Sequence, residues 1–221
     1  MTSGQYFEQL YLVQDQVLII ISELETEFYL TGGTALSRAY LHHRFSDDLD
    51  FFVNDNDKFE LYVDRIIQKL ASEPSFDLEV LTRDERYVRL NLNSAGGVEL
   101  KIEFINDVPS HVGKIVKHPQ LGRIDSSENI FANKITAVLS REEPKDIADI
   151  WGLCIKLNLS IQDAIIGASS KATGIFPPDL ARVLISATSD DWEVINWIEA
   201  PDPNEFIQEL NKIGESLLFI E

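Results

Sequence analysis

Residues 31–52 read Thr-Gly-Gly-Thr-Ala-Leu-Ser-Arg-Ala-Tyr-Leu-His-His-Arg-Phe-Ser-Asp-Asp-Leu-Asp-Phe-Phe. This stretch joins a glycine pair, Gly32 and Gly33, to two carboxylates, Asp48 and Asp50, through a short amphipathic segment. Residues i and i+2 of a strand project to the same face, so the two carboxylates are expected side by side, with the residue between them in the core. Adjacent carboxylates repel each other and need a counter-ion. The pattern therefore predicts a metal site.

The glycine pair also indicates a phosphate site, because glycine lets the backbone approach an anion closely. A helix expected from about Thr34 points the N–H groups of its first turn at the same anion. A pair of Mg²⁺ ions that bridges the phosphates of a nucleoside triphosphate (NTP) would supply the counter-ion. The Ser46 hydroxyl can face this site, two residues before Asp48. Arg44 can contact a phosphate or pair with a nearby acid, and the sequence leaves both open.

The stretch resembles the nucleotidyltransferase signature of the DNA polymerase β-like superfamily: a Gly-Gly or Gly-Ser pair, a helical spacer, then Asp-x-Asp. Asp48 follows Gly33 by fifteen positions, a spacing that fits. A second block reads Asn-Lys-Ile-Thr-Ala at 133–137, Arg141, and Lys-Asp-Ile-Ala-Asp-Ile at 145–150. The two blocks together resemble the AbiEii/AbiGii-type nucleotidyltransferase toxin family over roughly residues 28–155.

The resemblance implies a third carboxylate on a neighbouring strand. Alternation along residues 99–104 places Glu99, Lys101 and Glu103 on one face of a strand. Glu103 matches the family position best, and its implied role is to complete a metal shell and help deprotonate an acceptor hydroxyl. Asp107 is the reserve candidate, in the loop that follows. A solvated strand face with a Glu–Lys pair is the alternative.

The second block supplies two further candidates. In the resembled family the lysine that matches Lys134 contacts nucleotide phosphates, and Asp146 matches a late acidic residue with a catalytic role. Asp146 and Asp149 share one face of a helix that begins near Pro144. Acids are also favoured in the first turn of any helix, which is the alternative explanation. We prefer Asp146 to Asp149.

Hydrophobic periodicity divides the chain into two parts. Strands are expected at 27–31, 49–53, 76–82, 87–92 and 98–105, with helices at 5–24, 34–41 and 59–70. Helices alone are expected afterwards, at about 126–140, 144–157, 160–171, 177–187, 192–198 and 204–217. We predict an α+β fold in which a minimal nucleotidyltransferase lobe with a mixed β-sheet, residues 1–122, precedes an α-helical lobe, residues 123–221. The NTP is expected between the lobes.

The amino-acid composition indicates the cellular environment in which the protein is expected to work. The 221 residues are 44% hydrophobic and contain no apolar run long enough to cross a membrane. The first residues lack a basic stretch before an apolar one, so no secretory signal is expected there. The single cysteine, Cys154, is expected to be a buried thiol in a reducing cytoplasm. His42 and His43 are expected to be surface or capping groups, because Mg²⁺ prefers oxygen ligands.

The formal net charge of −18 argues against a general nucleic-acid-binding surface. The charge is uneven, however. Residues 81–124 carry seven Lys or Arg against five Asp or Glu, whereas residues 171–221 carry three against ten. A polyanionic acceptor is therefore expected to approach the basic groups within residues 83–123, although ordinary surface variation would also account for this difference.

These observations favour a cytoplasmic nucleotidyltransferase that uses Mg²⁺, with Mn²⁺ as the alternative, to transfer NMP from an NTP to an acceptor hydroxyl. The resemblance implies tRNA or another RNA as acceptor, and a toxin role with a separately encoded antitoxin. One alternative is a small-molecule enzyme of the antibiotic-modifying type, which the acidity favours. The other is a non-catalytic module that binds a nucleotide or a partner protein.

Overall fold

The computed structural model describes residues 3–218. Its strands are β1 (Tyr29–Thr31), β2 (Leu49–Asn54), β3 (Phe76–Asp84), β4 (Tyr87–Ser94), β5 (Glu99–Asp107), β6 (Val116–His118) and β7 (Gly122–Ile124). They form one mixed sheet in the order β3-β4-β5-β2-β1-β7-β6. The pairs β2–β5 and β1–β7 are parallel, and the other neighbours are antiparallel. The predicted α+β class with a mixed sheet is confirmed.

The helices are α1 (Ser3–Ser22), α2 (Gly32–Ala35), α3 (Phe59–Ala71), α4 (Ser127–Arg141), α5 (Pro144–Ile155), α6 (Ile161–Ser169), α7 (Pro177–Ile185), α8 (Ser189–Glu193) and α9 (Pro203–Leu217). A π-helical segment, Leu36–Leu41, continues directly from α2. Within the described residues no helix is long and apolar enough to cross a membrane.

The described chain divides into two compact units that interleave in sequence. The first runs to Ala35 and then takes in Ser46–Pro109 and Ile115–Asp125. The second holds Leu36–Phe45, Ser110–Lys114 and the chain from Ser126 onward. The predicted division into lobes 1–122 and 123–221 stays a prediction.

The two faces of the sheet in the first unit follow from the period of two along each strand. On β5 the side chains of Leu100, Ile102 and Phe104 are fully buried, as the alternation predicts. The Phe104 ring packs edge-on against Phe28, with centroids 5.0 Å apart, and stacks on Phe51 at 5.5 Å. This apolar face, against which α1 packs, leaves the polar residues of β2 and β5 on the other face.

In the second unit, side chains and prolines at the helix starts set where the helices begin. The Ser126 hydroxyl accepts a hydrogen bond from the Asn129 N–H and caps α4, while Pro144 occupies the first turn of α5. Aromatic rings then pack between elements. The Trp151 ring lies 5.5 Å from Phe206 and 6.1 Å from Trp197, measured between centroids, and joins α5 to α9.

Four elements differ from the sequence prediction. The prediction of a helix at 192–198 is wrong. A capping box between Thr188 and Asp191 starts α8 at Ser189, and α8 ends at Glu193. The single helix expected at 34–41 is instead α2 followed by the π-helical segment. Strands β6 and β7 were not predicted, because three-residue strands are too short to show an alternating pattern.

Candidate active site

A row of directly opposed residues crosses four strands of the sheet in the first unit. Asp50 on β2 pairs with Thr31 on β1 and with Glu103 on β5, and Glu103 in turn pairs with Arg89 on β4. Directly opposed residues project to the same face and lie close together. The register therefore places two of the predicted carboxylates, Asp50 and Glu103, next to each other.

Lys101 joins this row to the other predicted carboxylate. Its Nζ lies 2.7 Å from Asp48 Oδ2 and 3.5 Å from Glu103 Oε2. Burial lowers the pKa of Lys101, but the hydrogen bond and the charge of Asp48 outweigh burial, so the net shift is upward. The ammonium therefore partly neutralises three carboxylates that would otherwise repel one another.

Glu103 is held mainly through one of its two oxygens. Oε1 accepts hydrogen bonds from the Tyr87 hydroxyl and from Arg89 Nε, the latter at 2.8 Å, and Arg89 Nη2 forms an ion pair with the same oxygen, also at 2.8 Å. Burial raises the pKa of Glu103, yet Tyr87, Lys101 and Arg89 together hold it below its ordinary value. Burial and the bond to Glu103 raise the pKa of Tyr87 to about 12. Glu103 is consequently an ionised carboxylate and a weak base.

The glycine turn lies directly against the carboxylates. Gly32 has φ +67, and a Cβ built on it would lie 2.2 Å from Asp50 Oδ2. Gly33 follows as a buried residue within α2. Gly32 is therefore required both for its left-handed backbone and for the space that the Asp50 side chain occupies.

Two buried hydroxyls fix the loop that precedes β2. The Thr34 hydroxyl lies 3.0 Å from the Ser46 hydroxyl and donates to the main-chain carbonyl of Asp48. The Gln14 side-chain amide donates to the carbonyl of Ser46 at 3.1 Å. These contacts position Asp48. The predicted contact of Thr34 and Ser46 with a nucleotide stays a prediction.

A second cluster of charged groups lies inside the second unit, around Asp149. Its carboxylate accepts hydrogen bonds from Arg44 Nε and Nη2, both at 2.7 Å, and contacts His43 Nε2 at 2.9 Å and Lys134 Nζ at 2.7 Å. Although burial raises the pKa of Asp149, the charges of Arg44 and Lys134 and the bond to His43 hold it well below its ordinary value. The sequence left open whether Arg44 contacts a phosphate or pairs with an acid, and the structure shows the ion pair with Asp149.

Asp146 extends this cluster. Its Oδ1 lies 2.7 Å from Lys134 Nζ, and its Oδ2 accepts from Arg141 Nε at 2.7 Å. Asp146 is fully buried and Lys134 is 7% exposed. The opposing charges of Asp149 and Asp146 outweigh burial and raise the pKa of Lys134. The phosphate contact of Lys134 and the catalytic role of Asp146 stay predictions, and the geometry supports the ion-pair role of both residues.

The structure thus groups the predicted site residues in two places. The carboxylate cluster of the first unit comprises Gly32, Gly33, Thr34, Ser46, Asp48, Asp50 and Glu103. The ion-pair cluster of the second unit comprises Arg44, Lys134 and Asp146. The reserve candidate Asp107 ends β5, where it pairs with Asn54 and not with the carboxylates.

Sequence reasoning missed the roles of Tyr87, Arg89 and Asp149 and misplaced His43, which is fully buried instead of at the surface. The sequence carried only a partial signal for Arg89. The two strands expected at 87–92 and 98–105 are close enough in sequence to pair as a hairpin, but only the observed register, with Asn93 opposite Glu99, places Arg89 opposite Glu103. No local signal existed for the contact between Arg44 and Asp149, which are 105 residues apart.

The carboxylate cluster offers the kind of donor atom that a hard divalent cation needs, because Mg²⁺ and Mn²⁺ prefer carboxylate oxygen. The side chains are not arranged as a finished coordination shell. Among residues 3–218, no three His, Cys, Asp or Glu side chains are placed to hold one metal ion. Among the described residues, the ammonium of Lys101 contacts both Asp48 and Glu103.

A mixed sheet with a glycine turn against Asp-x-Asp and a third carboxylate on the adjacent parallel strand defines the nucleotidyltransferase class of folds. The family model described as nucleotidyl transferase AbiEii toxin, type IV TA system, matches residues 17–193. The chain belongs to this family, which confirms the resemblance seen in its sequence, and by family it is a nucleotidyltransferase.

Two solved structures share the fold over nearly the whole chain. JHP933 from Helicobacter pylori matches with a TM-score of 0.65 and 19% identity, covering 95% of this chain and 92% of its own. MenT4, a nucleotidyltransferase toxin from Mycobacterium tuberculosis H37Rv, matches with a TM-score of 0.63 and 16% identity, covering 98% and 85%. An uncharacterized protein of Aquifex aeolicus (strain VF5) is 31% identical over 132 residues, which span 59% of this chain and 59% of that protein.

Proposed function

We propose that this protein transfers a nucleoside monophosphate from an NTP to a hydroxyl of an RNA acceptor, with Mg²⁺ or Mn²⁺ as cofactor. The observation that carries the proposal is the direct opposition of Asp50 and Glu103 on parallel strands, with Asp48 two residues before Asp50. Gly32 lies against Asp50, and a glycine at this position lets the backbone come close to a bound phosphate.

In this proposal Asp48, Asp50 and Glu103 Oε2 would hold the metal. The bound cation would neutralise the phosphates and favour ionisation of the acceptor hydroxyl. The acceptor hydroxyl loses its proton to solvent water, and its oxygen forms a bond to the α-phosphorus. The bond from the α-phosphorus to the α,β-bridging oxygen breaks, and pyrophosphate leaves. The fold supplies positioning and fixed charge, because the carboxylates come from paired strands whose register is set by the core.

The geometry narrows the part that Glu103 would play. Its Oε1 already accepts from Tyr87 and Arg89, and its pKa lies below the ordinary value. A carboxylate of this kind takes up a proton poorly. We therefore propose that Glu103 acts as a metal ligand through Oε2 and not as a general base.

The proposed RNA contact is the hairpin of β6 and β7. Three arginines of the basic segment are already paired within the first unit: Arg83 with Asp64, Arg86 with Asp55, and Arg89 with Glu103. Their charges are therefore largely neutralised, and the attraction that was expected of residues 83–123 has to come from other cations in the segment.

Lys117 and Arg123 supply such cations. They are directly opposed and exposed on the two strands of the hairpin, and neither forms an ion pair with a described residue. Like charges in that position destabilise a sheet, so the pair favours an anionic partner. A small cationic acceptor is the second candidate, because the chain has a net charge of −18.

The family supports a biological role as well as a reaction. Its description names a toxin of a type IV toxin–antitoxin system. We propose that this protein acts as such a toxin in the cytoplasm and is counteracted by a separately encoded antitoxin.

The test is incubation with each of four α-labelled NTPs and total cellular RNA, with Mg²⁺ or with EDTA. We expect one NTP to label an RNA band in Mg²⁺ only. Asp48→Asn and Asp50→Asn should abolish labelling, whereas Asp47→Asn, at the exposed neighbour, should not. Label on a small molecule or on protein would exclude the RNA acceptor, and labelling that survives both substitutions would exclude the carboxylate cluster.

A further inference from the structure

We propose that Lys101 is an internal counter-ion that holds the carboxylate cluster in the metal-free protein and must leave Asp48 when a divalent metal binds. The inference rests on the proposed function, because it concerns the same metal site. Lys101 lies on the strand that carries Glu103, two residues before it, so both side chains project to one face.

Lys101 and a divalent metal ion would need the same carboxylate oxygen atoms. Lys101 Nζ is 2.7 Å from Asp48 Oδ2, a charge-assisted hydrogen bond, and it lies 3.5 Å from Glu103 Oε2. A Mg²⁺ ion bound through the same oxygens would lie about 2.1 Å from each. Both cations would then lie within a few ångströms of each other, where like charges repel strongly.

The contacts around Glu103 indicate that Lys101, and not Arg89, is the cation that can move away. Arg89 and Tyr87 occupy Oε1 of Glu103, so they do not compete for Oε2. Lys101 contacts Oε2 and the Asp48 oxygen through a single flexible amine, and its side chain is 35% exposed. A lysine stem can therefore swing towards solvent while the arginine and the tyrosine keep the Glu103 carboxylate oriented.

The absence of a finished coordination shell has the same explanation. No three metal-binding side chains converge among the described residues, although Asp48 and Glu103 lie within 3.5 Å of one ammonium and the charge of Asp50 also acts on it. Displacement of Lys101 frees Asp48 Oδ2 and Glu103 Oε2 together. Metal binding and release of this amine are therefore one coupled event.

The experiment measures Mn²⁺ binding to the full-length protein without NTP, by calorimetry and by electron paramagnetic resonance. Lys101→Met removes the competing charge and should tighten Mn²⁺ binding by about tenfold or more. In EDTA the same variant should melt at a lower temperature than wild type, because its carboxylates lack a counter-ion. Saturating Mn²⁺ should remove that difference.

Two further variants serve as controls. Lys101→Arg keeps the charge and should bind Mn²⁺ about as wild type does. Lys58→Met removes one exposed positive charge elsewhere in the first unit and should leave the affinity unchanged.

Unchanged or weaker Mn²⁺ binding by Lys101→Met, in a protein whose wild type binds Mn²⁺, would overturn the counter-ion role alone. If neither wild type nor Lys101→Met binds Mn²⁺, both this role and the proposed metal dependence are wrong. If Lys58→Met tightens binding as much as Lys101→Met does, the effect is one of general charge and the specific competition is refuted.

Discussion

The main chain of Gly32 lies directly against the side chain of Asp50, and a Cβ on Gly32 would lie 2.2 Å from Asp50 Oδ2. This contact makes the glycine turn and Asp50, a proposed metal ligand, parts of one arrangement. The left-handed φ of +67 alone would favour glycine, and the close approach requires it.

Gly32→Ala should therefore lose transfer activity and be destabilised by more than backbone strain alone predicts. Gly97→Ala is the matched control, because Gly97 has φ +77 but open space around it, so it should lose only about 1–2 kcal/mol. Urea unfolding and NTP transfer would be measured for both variants. Equal losses of stability would show that Asp50 does not constrain Gly32.

Glu103→Gln should reduce turnover by about tenfold or more and weaken Mn²⁺ binding, because the proposed task of Glu103 is coordination. Glu99→Gln changes an exposed residue on the same face of β5 and should reduce turnover and Mn²⁺ binding only slightly. Steady-state kinetics at several Mn²⁺ concentrations would separate the two effects. A larger loss for Glu99→Gln would contradict the assignment of the third carboxylate.

Lys134→Met should lower the free energy of unfolding by about 3–5 kcal/mol, because it leaves Asp146 and Asp149 buried with less compensating charge. Lys145→Met, which loses an exposed ion pair with Glu143, should cost less than about 1 kcal/mol. NTP affinity, measured on the folded variants, tests the predicted phosphate contact independently. Wild-type stability of Lys134→Met would argue against the structural role of this ion pair.

His43 should make the protein sensitive to mild acid. Its ring faces Asp149, Arg44 and the Trp197 ring, and burial lowers its pKa although Asp149 acts to raise it. The unfolded chain therefore takes up a proton near pH 6.5 that the folded chain does not. Stability should fall as pH drops through that value, by at most about 1.4 kcal/mol per pH unit.

Urea unfolding between pH 5 and 8 would measure this effect. His43→Gln should reduce the slope, whereas His42→Gln, at an exposed position, should keep it. A wild-type slope in His43→Gln would mean that another group takes up the proton. Asp149, whose pKa is lowered on folding, should add a separate loss of stability below about pH 4.

Reversing the charge of the β6–β7 hairpin should weaken RNA binding. Lys117→Glu with Arg123→Glu should lower the slope of log K against log salt by roughly 0.7 to 0.9 for each lost phosphate contact. The double variant Lys58→Glu with Lys212→Glu makes the same change in net charge at exposed positions elsewhere. Equal effects of the two double variants on RNA affinity would remove the hairpin as the contact surface.

Local periodicity already determines much of the carboxylate cluster. The period of two along β5 buries Leu100 and Phe104 and turns Glu103 to the other face, and the glycine pair before Asp-x-Asp indicates a phosphate and metal site. Helix starts at Ser126 and Pro144 also follow from neighbouring residues. These features are readable because each depends on groups only a few positions apart.

Tertiary structure alone decides the partners of the charged groups. Lys101 could pair with several acids, and only the parallel register of β2 and β5 brings it to Asp48. Arg44 and Asp149 meet across 105 positions of sequence, where no local pattern relates them. The physical reason is that periodicity sets the face a side chain occupies, whereas the packing of distant elements sets which charge it meets there.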